Sequence, residues 1–536
     1  MTKIYKPANK DELKELIQNP EVRLGDIDTS LITDMSELFA EDEREDFSGI
    51  EGWDTSHVTD MSRMFAWAVN FNHPIGNWNT AQVTDMSHMF EEAWCFNHPI
   101  DNWNTSRVTN MFRMFLCAKQ FNQPIGNWDT SHVTDMSGMF CGAEEFSQPI
   151  GGWDTSRVTS MRSMFSGAAS FDQPLENWNT SLVTDMSQLF DEAECFNQYI
   201  GNWDTSHVAN MSRMFSGALR FNQPLENWDT SRVTDMSAMF NYAASFNHPI
   251  GNWNTSHVTD MSQMFRGAER FNQPIGGWDT SRVTSMHSMF DGAHRFNQPL
   301  ENWNTSRVTD MSWMFGGAKS FNQPLENWNT SRVTDMSFMF DGASSFNHPI
   351  GNWDTSHVTD MRQMFFYAKN FNQPLERWNT SHVTDMGAMF SGALSFNQPI
   401  GNWNTSHVTN MSGMFERAVH FNQPVGTWDT SYVDDMSCMF EDAIAFNQPI
   451  GNWDTSHAAR MDGMFKNAAS FNQSLADWDI SYAADMSSMF ENAAAFSYSL
   501  EKWYPDICKY DIPADEMFNG SASYHYPLPY ASEPEK

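Results

Sequence analysis

"FNQPIGNWDTSHVTDM", residues 121–136, returns in close copies along almost the whole chain. Its tryptophan sets the phase: Trp53, Trp78, Trp103, Trp128 and then every 25 residues without a slip to Trp503. That makes 19 register tryptophans and 18 equal units, and "IDTSLITDMSELF" opens one further unit with Ile27 at the tryptophan position, 26 residues before Trp53. A fixed period between about 20 and 50 residues marks a solenoid, in which each unit is one small supersecondary element stacked on the next. A length of 536 residues would otherwise suggest several globular domains. The unbroken period predicts one elongated repeat domain instead.

With Trp53 as origin, apolar residues recur at Val58, Met61, Met64, Phe65, Ala68, Phe71 and Ile75. Steps of three and four are the period of one helix face, so Val58 to Phe71 predicts a short helix, α or 3₁₀. The Asp60 position holds Asp twelve times, Asn three times, Ser twice and Arg once in the 18 units. Such side chains satisfy free amides at helix starts, which makes Asp60, Asp135 and Asp260 predicted N-caps. A proline in nearly every "FNQPIGNW" stretch removes an amide donor, so parallel strand pairing is expected just after it, around Ile75 to Thr80. Each unit then reads as short strand, turn, short helix and return coil. Trp128, Trp278, Phe121, Phe271 and Met136 belong to its predicted interior.

The solenoid is expected over residues 27–503, with a cap at each end. Residues 1–26 form the first, because in "NKDELKELIQ" Asn9 stands three residues before Glu12, a capping-box start to a helix. Residues 504–536 form the second cap and a tail. There "YPDICKYDIPADEMFNG" reads as a last unit stretched by three residues, with Met517 and Phe518 as its Met-Phe pair. From Ser521 onward a loosely held tail is expected.

Basic side chains number 31 against 67 acidic ones, a formal net charge of −36. That balance disfavours nucleic acid and anionic membranes as partners. No apolar run approaches the roughly 18–20 residues of a membrane span, and "MTKIYKPANKDELKELIQNP" shows neither a signal-peptide core nor a lipobox cysteine. The six cysteines, Cys95, Cys117, Cys141, Cys195, Cys438 and Cys508, have neither metal spacing nor a paired framework. Free thiols are expected, and no cofactor.

"FNQPIGNWDTSxVTDMSxMFxGAxxF" is similar to the repeats of the BspA-like leucine-rich-repeat surface proteins and to the related domain of unknown function first described in mycoplasma lipoproteins. The likeness covers about Leu24 to Trp503. It implies a right-handed, leucine-rich-repeat-like α/β solenoid of about 20 repeats, usually on a bacterial surface or secreted, with adhesion or host binding as its role. No catalytic residue comes with it. The chain departs from the surface members in showing no signal peptide, lipobox or wall anchor, so a cytoplasmic setting stays open.

Several columns invite a chemical reading. The Asp54 position is Asp ten times and Asn eight times. A calcium ladder would insist on carboxylate, and aspartates 4.8 Å apart repel by about 0.9 kcal/mol even in water, whereas Asp and Asn alike form Asx turns. The His57 position alternates eight His with six Arg, which cannot ligate, so it reads as a solvated face rather than a metal stripe or a pH switch. "NTS" triplets such as Asn104 and Asn254 match a glycosylation sequon but alternate freely with "DTS". Threonine rows resemble ice-binding faces, yet charged neighbours flank them.

Specificity is expected where the repeat varies: at the third residue of "MSxMF", at the pair after Met-Phe and at the pair before the next Phe. Trp67, Trp94, Tyr242, Trp313, Phe338, Phe366 and Tyr367 stand there, and exposed aromatics are common binding anchors. Scattered drift within a repeat array would produce the same list. The sequence thus points to a monomeric, noncatalytic scaffold that binds a protein or a surface glycan. The alternatives are a structural rod or spacer, a calcium- or ice-binding array, and a hydrolytic enzyme, for which no nucleophile elbow, phosphate loop or zinc pattern is present.

Overall fold

The computed structural model describes residues 4–527. The chain divides into two compact units, Met1–Gln273 and Pro274–Lys536. Inside each unit successive repeats stack in parallel register. In the first, isolated parallel bridges join Asp34 to Asp60, Asp60 to Asp85 and so on to Asp235 and Asp260; in the second, a like series runs from Ser285 and Asp310 to Arg460 and Asp485.

One segment of the repeat carries this stacking. The amides of Met61, Arg63, Phe65 and Trp67 donate to the carbonyls of Asp85, Ser87, Met89 and Glu91 in the next repeat, at 3.0, 2.9, 2.9 and 2.6 Å. The alternate amides turn inward on their own repeat: Met64, Ala66 and Ala68 donate to the carbonyls of Met61, Arg63 and Phe65, at 3.2, 3.1 and 3.1 Å. In the turns 61–64 and 65–68 the third residue is left-handed, with φ of 55° at Arg63 and 63° at Trp67. A positive φ at that position is what a type II turn demands.

This arrangement corrects the helix predicted over Val58 to Phe71. A left-handed residue at every fourth position breaks a right-handed helix, and half of the amides a helix would use internally are committed to the neighbouring repeat. The helical spacing misled because turns closing over three residues also point Met61, Met64, Phe65 and Ala68 inward. Asp60, Asp135 and Asp260 consequently have no helix to cap. Each instead accepts the amide two residues on, from Ser62, Ser137 and Ser262, at 2.8 Å in all three cases, and so closes an Asx turn.

The strand pairing expected around Ile75 to Thr80 is also absent. No bridge lies in that segment, where Pro74 interrupts the run of donors. Side chains supply the cross-repeat bonds instead. The Trp103 indole Nε1 donates to the Ile75 carbonyl at 3.1 Å, and the Thr80 hydroxyl donates to the Asn104 carbonyl at 3.0 Å. On the return coil the Asn122 amide donates to Asn97 Oδ1 at 3.0 Å, while Gln123 Nε2 reaches the same oxygen at 2.9 Å.

The interior is a set of aromatic columns. Phe115 and Phe121 stack within one repeat at 4.0 Å and 10°, and Phe121 faces Phe146 of the next at 6.0 Å and 7°. Trp128 lies parallel to Trp103 and Trp153 at 6.3 and 6.4 Å. Phe121, Phe271 and Met136 are fully buried, and Trp128 and Trp278 nearly so. No repeat covers its own rings, so the core exists only between stacked neighbours.

Both ends are closed. Helix α1, Lys10–Gln18, starts at Asn9, whose side chain accepts the Glu12 amide, and it buries Leu13 and Ile17 against the first repeats. At the other end helix α2, Tyr504–Tyr510, lies between the last register tryptophan and a final bonded segment. There Met486 and Phe490 donate to the carbonyls of Pro513 and Met517, an offset of 27 residues where the repeats from Met61 onward show 24. Ser521 and Tyr524, expected in a loose tail, are packed: the Ser521 hydroxyl donates to the Phe490 carbonyl, and Tyr524 stacks on Phe518 at 3.9 Å. Residues 1–3 of the expected first cap and 528–536 of the expected tail lie outside the described residues.

Trp128→Ala removes a buried ring together with the donor that satisfies the Ile100 carbonyl at 3.3 Å. It is expected to cost about 3–5 kcal/mol, measured as a shift of the urea unfolding midpoint.

Candidate functional site

The left-handed positions of the repeat are among its variable ones. At the Trp67 position eight of 18 repeats carry glycine, the residue for which positive φ costs nothing. An L side chain there costs about 1 kcal/mol, and a bulky one is a genuine outlier. Five of the seven aromatic candidates occupy such backbone: Trp67, Tyr242, Trp313, Phe338 and Tyr367, with φ of 63°, 54°, 58°, 58° and 49°. Phe366 directly precedes one of these positions, and Trp94 lies two residues after another.

The structure brings some of these rings together and leaves others apart. Trp313 and Phe338, one repeat apart, stack at 4.1 Å and 8°, and the Arg362 guanidinium sits 5.7 Å over Phe338. Phe366 and Tyr367 meet edge to face at 4.6 Å, and Arg417 donates to the Tyr367 hydroxyl at 2.6 Å. In the other unit Trp67, Trp94 and Tyr242 are 50%, 43% and 49% exposed, and among the described residues no ring contact links them. Lys119 lies 5.5 Å over Trp94, whose indole donates to Glu92 at 2.6 Å.

Reading the sequence alone missed how these side chains are accommodated. Tyr242 and Tyr367 lie back over a residue of the following repeat, and a glycine there makes the room. A Cβ on Gly267 would meet the Tyr242 ring at 2.5 Å, and one on Gly392 the Tyr367 ring at 3.0 Å. For these two the available signal was an aromatic residue followed 25 positions later by glycine.

Two carboxylates beside the Trp313–Phe338 pair were also missed. A Cβ on Gly316 would stand 3.0 Å from both Asp291 Oδ1 and the Trp313 ring, so the absent side chain leaves room for both. Asp341 holds the equivalent position one repeat further on. Burial, with the Asp291 charge adding to it, pushes the Asp341 carboxyl up to about 6. Aromatic faces, a guanidinium and two carboxylates together form a surface that offers both stacking and hydrogen bonding.

The regular columns are occupied by the fold itself. Asp54 Oδ1 accepts the Ser56 amide at 2.9 Å, and Asn104 Oδ1 accepts the Ser106 amide at 3.0 Å. Hydrogen bonds from the Ser131 hydroxyl and amide hold Asp129 below the ordinary carboxylate range. The threonines after these residues are buried, and Thr105 donates to the Asp129 carbonyl at 3.0 Å. The exposed row at Thr59 is bonded too, through hydroxyls such as that of Thr84, which donates to the Thr59 carbonyl at 3.1 Å. His57 is exposed, with Nδ1 3.1 Å from the Ser56 hydroxyl.

Among the described residues no group of three His, Cys, Asp or Glu could hold a metal ion, and no helix is long and apolar enough to cross a membrane. None of the six cysteines is joined in a disulfide among the described residues. A cavity of about 700 Å³ lies beneath the first cap, between the end of α1 and residues 42–48. Its polar groups are partly engaged: Arg44 bonds Asp42 at 2.8 Å and the Ile17 carbonyl at 3.2 Å, and Asp46 accepts the Ser48 amide at 2.8 Å.

A carboxyl whose pKa is higher in the folded than in the unfolded chain destabilises the fold once ionised. For Asp341 that penalty is complete above about pH 6 and is relieved as pH falls toward the ordinary carboxylate value. Asp341→Asn is therefore expected to raise the melting temperature by about 1–3 °C at pH 7.5. The gain should vanish at pH 4, as checked by melting curves at both values.

No curated protein matches the chain. Among solved structures, that of a TLR13–ssRNA13 complex is 8% identical over 93% of this chain and 83% of that one, with a TM-score of 0.20. A leucine-rich cell surface protein from Faecalibacterium prausnitzii A2-165 is 11% identical over 59% and 82%, with a TM-score of 0.24. The Toll–Spatzle complex of Drosophila development is 8% identical over 74% and 55%, with a TM-score of 0.18. Overlaps this loose carry nothing further. One family model, by contrast, matches in overlapping stretches at 11–125, 94–181, 113–226, 169–275, 196–298, 261–356, 340–435, 395–503 and 420–529. Tiled in this way along nearly its whole length, the chain belongs to the family described as "Mycoplasma protein of unknown function, DUF285".

Proposed function

We propose that this chain is a noncatalytic interaction scaffold whose repeats present their left-handed edge to a protein or surface-glycan partner. One observation carries the reading: bulky aromatics stand on that edge at positions where glycine would be unstrained. A local rule broken without a gain to the core is the mark of a position kept for contact. The Trp313–Phe338 stack and its flanking Arg362 are the strongest candidate anchor, since aromatics and arginine dominate binding hot spots. Trp67, Trp94, Tyr242, Phe366 and Tyr367 belong to the same reading, as does the surface or secreted setting that the family resemblance suggests. A pure rod would have no use for them.

The test replaces Trp67, Tyr242, Trp313, Phe338 and Tyr367 by glycine and compares the two chains on arrayed glycans and immobilised surface proteins. The glycine version is expected to lose capture at least tenfold while its melting temperature does not fall, because strain is released as contacts are given up. Capture unchanged between the two would leave the rod as the better reading.

A further inference from the structure

We propose that a cleft over Gly138 binds a small organic oxyanion, with its charged head between Arg113 and Arg162 and its apolar stem against Phe112 and Leu116. The cleft encloses about 190 Å³ and draws its lining from three successive repeats. Every residue in the argument stands at a variable position of the bonded segment. Where Phe112 and Arg162 lie, twelve of the 18 repeats carry serine. Gly138 is left-handed, with φ of 63°, and a Cβ there would meet the Arg113 side chain at 3.0 Å. Its missing side chain is the space in which the Arg113 stem lies.

The cleft pairs two cations with an apolar wall. Arg213, Arg417 and Arg460 are each held by carboxylates, at 3.4, 3.5 and 3.3 Å from Asp191, Asp442 and Asp462. Arg113 and Arg162 are exposed and make no ion pair among the described residues; Arg113 rests 5.0 Å over the Phe112 ring. Two guanidinium groups lining one cleft, on a chain of net charge −36, offer the donors that a single oxyanion takes. Beyond about 8 Å salt screens that local charge, and the surrounding surface is acidic, so a polyanion is repelled where a single head is admitted. Burial, with the Asp191 and Glu192 charges adding to it against the pull of Ser166 and Arg113, pushes the Cys141 thiol up, so the thiol itself stays neutral.

Carboxylate, sulfate and phosphate heads share this chemistry, and the probes separate them. Benzoate, phenyl sulfate and phenyl phosphate are titrated calorimetrically into the full chain at low salt, with benzyl alcohol and inorganic phosphate as controls. Saturable one-site binding is expected for at least one phenyl probe, weakened at least tenfold in Arg113→Gln and in Arg162→Gln. Phe112→Ser, which restores the common residue, should weaken the phenyl probes severalfold, and Arg213→Gln should change nothing. Both arginines are exposed, so melting temperatures should stay at the parent value. The proposal is overturned if no phenyl probe saturates, if both arginine variants bind like the parent, or if benzyl alcohol or inorganic phosphate binds as tightly as the phenyl oxyanions. The cleft uses none of the aromatics proposed for partner capture, so either reading can fail without the other.

Discussion

The structure depends on how one segment divides its amides. From Met61 to Ala68 they alternate between the next repeat and the same repeat. Helix and strand each commit a segment to one kind of partner. Here the commitment changes at every residue, and a left-handed residue at every fourth position makes that possible. From this division follow the short parallel bridges, the inward Met and Phe side chains, and the need for a neighbour on both sides. Alone, such a segment would leave its outward donors to water and its rings uncovered, so neither the bonds nor the core form without a neighbour.

The same scheme explains what was legible in the sequence and what was not. The 25-residue register, the tryptophan and phenylalanine columns and the Asx turns at Asp54 follow from composition and spacing, because burial and turn chemistry act on residue type. The bonded segment did not follow. Three-residue turns and a helix face bury the same positions, Met61, Met64, Phe65 and Ala68, so periodicity cannot tell them apart. The distinguishing signal was glycine at the Trp67 position in eight of 18 repeats, which reads as a helix breaker until its left-handed role is known. The aromatic candidates stood out in the sequence, but their backbone strain, their pairing and the carboxylates beside Trp313 needed the fold.

Placing variability on strained backbone has a consequence for binding. The left-handed Tyr242 and Tyr367 lie back along the stack, over the next repeat, so each forms one surface unit with its neighbour 25 positions on. Tyr242 with Gly267 and Tyr367 with Gly392 are such units. Changing one member alone fills or opens space under the other. A substitution on this edge is therefore judged together with the residue 25 positions on.

The acidity of the chain divides along the same line. Much of it lies in columns where the carboxylate serves a turn: Asp129 and Asp154 are each held low by the hydroxyl and amide of the serine two residues on, while the Asp129 charge works against that at Asp154. Asparagine closes the same turn without the repulsion, as at Asn104 and Asn179, and its share of the column limits a cost that would otherwise grow with every added repeat. Charge of this origin says little about a partner, because the turn would select it in any setting. Charge that departs from the column is different in kind. Arg113 and Arg162 close no turn with their guanidinium groups and form no ion pair among the described residues, so the turn does not select their charge; Arg113 packs on Phe112, and an oxyanion shared by the two is the cause proposed for the pair.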